Sequence, residues 1–258
     1  MKFRYFIRLA FDGNQYHGWQ IQPNGITIQE KIQTALKVIL KKEVLIIGAG
    51  RTDTGVHARE FFAHFDFDKA INENDINVLC YQLNSILPED ISIMKITRVR
   101  HEAHARFDAT ARTYSYYFHT QKDPFLQKYS YFISAKLDIT SMQNACPILY
   151  EYNDFSCFSK SHTQVKTNNC KIISAEWRMQ GHQIIFTITA DRFLRNMVRA
   201  IVGTMLEIGY GKTDTNGFKD VIESKNRSKA GYSVPACGLF LEKIEYPKEI
   251  FLDIEKLS

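Results

Sequence analysis

The chain has 258 residues, enough for one to two domains and a sizeable buried core, and its 45% apolar and 24% charged content excludes wholesale disorder and a fibrous protein. Its 33 basic against 28 acidic residues leave a net charge of +5, which suits an anionic partner, while five cysteines without a C-x-x-C pair indicate neither a disulfide framework nor a zinc knuckle. Cations interrupt the apolar run from Met1 to Arg8 and no stretch of about 18 apolar residues occurs, so a reducing cytoplasm without membrane contact is the expected setting.

Phe3, Tyr5, Ile7, Leu9 and Phe11 alternate as in a strand, until Asp12-Gly13-Asn14 introduces turn chemistry and a long loop. Thr27-Ile28-Gln29-Glu30 has the form of a capping box, and Ile28, Ile32, Leu36 and Ile39 follow at helical spacing, predicting a helix that ends at Leu40. Val44 to Ile47 and Phe61 to Phe67 read as strands flanking a polar segment from Gly48 to Glu60. A short helix over Asp75 to Leu83 and a strand over Ile91 to Val99 complete the first hundred residues. Beyond them, strands are predicted near Tyr114 to His119, Ile172 to Met179, Ile184 to Ala190 and Gly238 to Ile244, with helices near Ser141 to Leu149 and Phe193 to Ile208. The mixed order points to an α+β fold of two similar domains, 1–108 and 109–258, with no low-complexity linker between them.

Gly48 to Gly55 has the spacing G-x-G-x-x-x-x-G, which fits neither the dinucleotide fingerprint nor a P-loop, since Val56-His57 stands where Lys-Ser/Thr is required. What remains is a glycine-flanked loop carrying Arg51 and Asp53, although a loop aspartate is more often a turn former than a catalyst. His101-Glu102-Ala103-His104 spaces its histidines by three rather than four, so no metal site is expected. Arg192, Arg195 and Arg199 would share one face of a markedly apolar helix, where an arginine needs a phosphate or carboxylate partner. Arg112-Thr113-Tyr114 interleaves a cation with aromatic residues on a predicted strand, which suits base stacking, although most strand aromatics are core.

The string Gly48-Ala49-Gly50-Arg51-Thr52-Asp53-Thr54-Gly55-Val56-His57-Ala58, read with Phe11-Asp12-Gly13-Asn14-Gln15-Tyr16-His17-Gly18-Trp19-Gln20, resembles the tRNA pseudouridine synthase A family. Further blocks continue the resemblance at Phe107 to Tyr116, Phe193 to Gly203, Lys229 to Gly231 and Pro235 to Leu239, so that it covers nearly the whole chain. Thr54 and Arg195 depart from it, standing where alanine and where tyrosine or histidine are common.

The resemblance implies a pseudouridine synthase fold whose sheets line a central basic cleft, and an isomerase that turns uridine into pseudouridine in the anticodon arm of tRNA. It implies a homodimer and no cofactor. Asp53 matches the family's catalytic aspartate, Tyr114 would stack on the displaced base, and Arg51 would replace lost stacking or hold a phosphate. Arg199 would keep Asp53 ionised, since an ion pair near 4 Å is worth about 4 kcal/mol at an effective dielectric near 20. Two other readings share these features: a catalytically silent RNA-binding or tRNA-chaperone protein, and a pseudouridine synthase acting on another RNA.

Overall fold

The computed structural model describes residues 2–160 and 167–252, so the outer ends of both expected domains lie outside the described residues. In chain order these residues form β1 (Phe3–Phe11), α1 (Ile28–Leu40), β2 (Ile46–Gly48), β3 (His57–Phe67), α2 (Glu73–Ile86), β4 (Ile91–Val99) and β5 (Ala111–His119). They continue as β6 (Tyr131–Phe132), α3 (Ile139–Ala145), β7 (Ile172–Gln180), β8 (Gln183–Ala190), α4 (Met197–Gly209), α5 (Thr215–Glu223) and β9 (Leu239–Glu245). Strands and helices are mixed along the chain, which is the α+β class of a pseudouridine synthase fold.

Two compact units emerge, Met1–Thr110 with Leu241–Ser258, and Ala111–Phe240. The expected second domain ran from 109 to the end of the chain, whereas Leu241 to Leu252 packs in the first unit. Strand pairing is the reason: β9 hydrogen-bonds to β3, the backbone N–H of Thr110 donates to the Glu245 carbonyl at 2.8 Å, and Arg100 N–H donates to the Ile250 carbonyl at 2.9 Å.

In the first unit β1 lies between β3 and β4, antiparallel to both, and β2 pairs with β3. Helix α1 has the bounds its sequence predicts. Its first turn is capped by Thr27 Oγ1, which accepts from Glu30 N–H at 3.4 Å, and Lys41 closes it in the left-handed conformation at φ 51°. It buries Ile28, Ile32, Ala35 and Leu36, each large aliphatic chain contributing about 1.5 to 3 kcal/mol. Tyr5, Ile7, Leu9 and Phe11 are buried as the alternation predicts, but so is Phe6 on the opposite face. There Tyr246 and Phe251 meet its ring edge-on at 5.3 and 6.0 Å.

On that same face His64 is only 2% exposed, and its Nδ1 accepts from Ala105 N–H at 3.1 Å. Burial, and then the Arg4 charge, push its pKa from the ordinary 6.5 down to about 4. The unfolded chain therefore binds a proton that the folded one refuses between those two values, and stability falls as pH drops through this window, by on the order of 3 kcal/mol. His64→Gln, which retains a side-chain acceptor, is expected to flatten the melting temperature between pH 7 and pH 4.5. An acid slope as steep as that of the unaltered protein would remove His64 as its cause.

In the second unit β8 lies between β5 and β7, antiparallel to both, and β6 runs parallel to β5. Tyr116, Phe118, Trp177 and Phe186 pack into one cluster on this sheet, with Phe118 and Trp177 stacked at 6.0 Å. Trp177 Nε1 donates to Met205 Sδ of α4 at 3.3 Å, and Trp177 N–H donates to Gln143 Oε1 of α3 at 2.7 Å, tying both helices to β7.

Helix α4 begins at Met197, not near Phe193 as its apolar pattern predicts. Asn196 sits at φ 68° and Met197 N–H donates to the Leu194 carbonyl at 3.1 Å, so Arg195 and Asn196 form a turn before the helix and Arg192 to Leu194 are irregular. Arg192 and Arg195 therefore do not share a helix face with Arg199, which alone of the three lies on α4.

Candidate active site

Arg51 and Asp53 share the loop that joins β2 to β3 in the first unit. Arg51 is exposed and Asp53 is half-buried. The loop closes on itself through Val56 N–H, which donates to the Asp53 carbonyl at 3.2 Å, with Gly55 left-handed at φ 78°.

A second loop, between β1 and α1, holds the first from the side. Gly55 N–H donates to the Tyr16 carbonyl at 3.3 Å, and Gly13 N–H donates to Nδ1 of the buried His57 at 3.2 Å. Two of the three glycines of this second loop, Gly13 and Gly18, make backbone approaches to the first loop that no other residue could make. A Cβ at Gly13 would sit 2.0 Å from the Val56 carbonyl oxygen, and one at Gly18 would sit 2.2 Å from that of Thr52. Gly18 is also left-handed, at φ 83°.

The second loop is fixed in turn to the sheet and to α1. Ile28 and Gln29 N–H, in the first turn of α1 where no helical acceptor exists, donate to the Gly18 and Trp19 carbonyls at 3.3 and 3.0 Å. The Trp19 ring stacks on Phe61 at 4.2 Å. Tyr16 Oη donates to Asp90 Oδ1 at 2.6 Å, and burial together with this carboxylate raises the phenol's pKa, so it stays a donor at any physiological pH. A chain of contacts thus runs from the core to Thr52 before Asp53 and to Gly55 and Val56 after it. Its members Gly13, Tyr16, Gly18, His57 and Asp90 escape a reading by residue type, since sequence shows only turn chemistry and a lone histidine; the Phe11 to Gln20 block is the signal for the first three and the Gly48 to Ala58 block for His57, while Asp90 lies in neither.

Tyr114 and Arg199 belong to the second unit. Tyr114 follows the parity of the buried Tyr116 and Phe118 on β5 but is itself half-buried. Its ring meets Phe193 edge-on at 5.2 Å and 87°. Arg199 Nε donates to the Val234 carbonyl at 2.7 Å, and Val234 N–H donates back to the Arg199 carbonyl at 3.3 Å. The segment bearing Val234 is pressed onto α4, since a Cβ at Gly203 would lie 1.7 Å from the Tyr232 oxygen, and Asn196 Nδ2 donates to Ser233 Oγ at 2.6 Å. The guanidinium of Arg199 is therefore held at Nε by a backbone carbonyl, which orients it.

Comparison with known proteins gives consistent results. A family model described as tRNA pseudouridine synthase matches residues 152–247. The chain is similar to the tRNA pseudouridine synthase A of Bacteroides fragilis, at 55% identity over 249 residues, covering 96% of this chain and 98% of that protein. It is similar to the protein of the same name from Parabacteroides distasonis, at 54% over 248 residues with the same coverage of each. The tRNA pseudouridine synthase A 2 of Clostridium perfringens is 40% identical over 242 residues, covering 93% and 98%.

Proposed function

The chain belongs to the tRNA pseudouridine synthase A family, and from that membership we propose that it isomerises uridine to pseudouridine in the 3′ half of the tRNA anticodon arm, with Asp53 as nucleophile. The observation that carries this reading is identity of 54% to a tRNA pseudouridine synthase A across 96% of the chain. The reaction breaks the bond between ribose C1′ and uracil N1 and forms one between C1′ and C5. The C5 proton leaves and N1 gains one, so atoms and electrons balance without any co-reactant.

One carboxylate at the sugar suffices for this chemistry, as nucleophile or as base, and Asp53 supplies it from a loop whose backbone is held on both sides. Extruding the target nucleotide from its stem costs a few kcal/mol of unstacking. Tyr114 is assigned to stack on the displaced base, Arg51 to hold phosphate or replace lost stacking with its planar guanidinium, and Arg199 to supply the cation that keeps Asp53 ionised. The net charge of +5 provides salt-sensitive attraction to the tRNA backbone. The enzyme is proposed to work in the cytoplasm as a homodimer, which sedimentation would report as twice the 29.9 kDa chain mass. Among the described residues no helix is long and apolar enough to cross a membrane.

The test is single-nucleotide pseudouridine mapping, by carbodiimide treatment and primer extension, on unmodified tRNA incubated with the protein alone. Stops in the 3′ half of the anticodon arm are expected. Stops elsewhere would move the target to another site, and none at all with tRNA still bound would favour a silent RNA-binding protein. For Tyr114, replacement by phenylalanine keeps the ring, so tRNA affinity within about threefold of the original is expected from stacking alone. A larger loss in filter binding would transfer the role to the hydroxyl.

A further inference from the structure

The face of the first unit's sheet that carries Phe6 is not completely covered. A cavity of about 300 Å³ remains there, at the small end of the range for ligand sites, and every residue lining it belongs to the first unit. Its polar wall comes from Arg8, Glu60, Lys95 and Lys243, and its apolar wall from aromatic rings, chiefly Phe62 and Tyr246. None of these residues has a part in the chemistry assigned above.

The hydrogen bonds of this cavity do not close. Glu60 is fully engaged: Oε2 pairs with Arg8 Nη2 at 2.7 Å, and Oε1 accepts from Ile244 N–H at 3.2 Å. Arg8 Nε, by contrast, is buried and has no hydrogen-bond partner, although the side chain as a whole is 42% exposed. A guanidinium donor left unspent in a buried position is costly, and an acceptor entering the cavity could reach the fork and take it with a small pivot. Of the three cations in the lining, Arg8 is paired with Glu60 and Lys243 with Glu245 at 2.8 Å, so with Lys95 the wall carries one positive charge more than its carboxylates, a balance that suits a monoanion. Beside Arg8, its cross-strand partner Phe62 meets Tyr246 at 5.0 Å and 69°, with Tyr246 half-buried, so a flat apolar body has a wall to lie against.

We propose that this cavity binds one nucleotide unit, with its phosphate on Arg8 and Lys95 and its base against Phe62 and Tyr246. The inference rests on the reading of the protein as a tRNA-modifying enzyme, which brings a nucleotide strand to its surface. A splayed nucleotide of tRNA and a free mononucleotide share this chemistry, and the test separates them.

The full chain labelled with 15N-arginine is titrated with an unmodified tRNA transcript and, separately, with millimolar adenosine or uridine 5′-monophosphate, following the Arg8 Nε–H resonance assigned through Arg8→Lys. A saturable shift with tRNA alone assigns a strand nucleotide, and a shift with mononucleotide assigns the free ligand. No shift with any of them overturns the proposal. Where the ligand is a tRNA nucleotide, removal of the Lys95 charge in Lys95→Gln is expected to weaken tRNA binding about threefold and to lower the slope of log affinity against log salt by about 1. An unaltered affinity and slope, in a variant with the original melting temperature, would exclude the tRNA nucleotide, and together with no shift by mononucleotide would overturn the proposal. Pseudouridine mapping on the same samples keeps the two readings apart. An Arg8 shift without pseudouridine formation upholds the site and removes the catalytic reading, whereas pseudouridine formation without a shift does the reverse.

Discussion

Asp53→Asn is expected to reduce pseudouridine formation by at least about 10⁴-fold, or about 5 kcal/mol of barrier, while tRNA affinity stays within about threefold. Asparagine has the shape of aspartate but is neutral, and it can act neither as nucleophile nor as base at the sugar. The loop should survive the change, because the contacts that shape it use backbone: the Asp53 carbonyl accepts from Val56 N–H, and Gly55 N–H donates to the Tyr16 carbonyl. Single-turnover mapping on unmodified tRNA, beside a filter-binding isotherm, reads both quantities. Turnover within about tenfold of the original would take Asp53 out of the nucleophile role, and joint loss of turnover and binding would recast it as a binding residue.

Gly18→Ala is expected to lower the rate by about 100-fold without touching any reacting group. The new Cβ would lie 2.2 Å from the Thr52 carbonyl oxygen, and the neighbour that must yield is the backbone directly before Asp53. The residue also sits at φ 83°, a conformation that costs an L-amino acid roughly 1 to 2 kcal/mol. Displacement of a catalytic group by about 1 Å can cost about two orders of magnitude in rate. Gly50→Ala provides the contrast, since a Cβ there meets nothing within 4 Å, and its unfolding free energy should stay within about 0.5 kcal/mol of the original. If Gly18→Ala retained full rate and melting temperature, the loop would be free to move aside and the clamp around Asp53 would have no functional weight.

Sequence legibility followed distance along the chain. Helix α1 was readable to the residue because its signals, the Thr27 cap and the apolar positions from Ile28 to Leu36, act within a few residues of one another. The start of α4 was not, since an apolar run says nothing of the left-handed Asn196 that delays it. Helix α5 went unread, although the Asp214 side chain accepts from Gly217 N–H at 2.9 Å and Phe218 and Ile222 are buried one turn apart; two apolar anchors are too few to raise a periodic signal.

By itself the sequence determined the α+β class, the alternation of β1, the loop bearing Arg51-Thr52-Asp53 and, through ordered motifs, the family. These depend on local periodicity, capping and residue identity, each of which is written in neighbouring positions. Only the tertiary structure decided that the residues after Leu241 return to the first unit, that Phe6 is covered by Tyr246 and Phe251, and that Gly13 and Gly18 abut the backbone around Asp53. Such contacts join positions tens to hundreds of residues apart, and their energy comes from the fit of surfaces that no window of sequence contains.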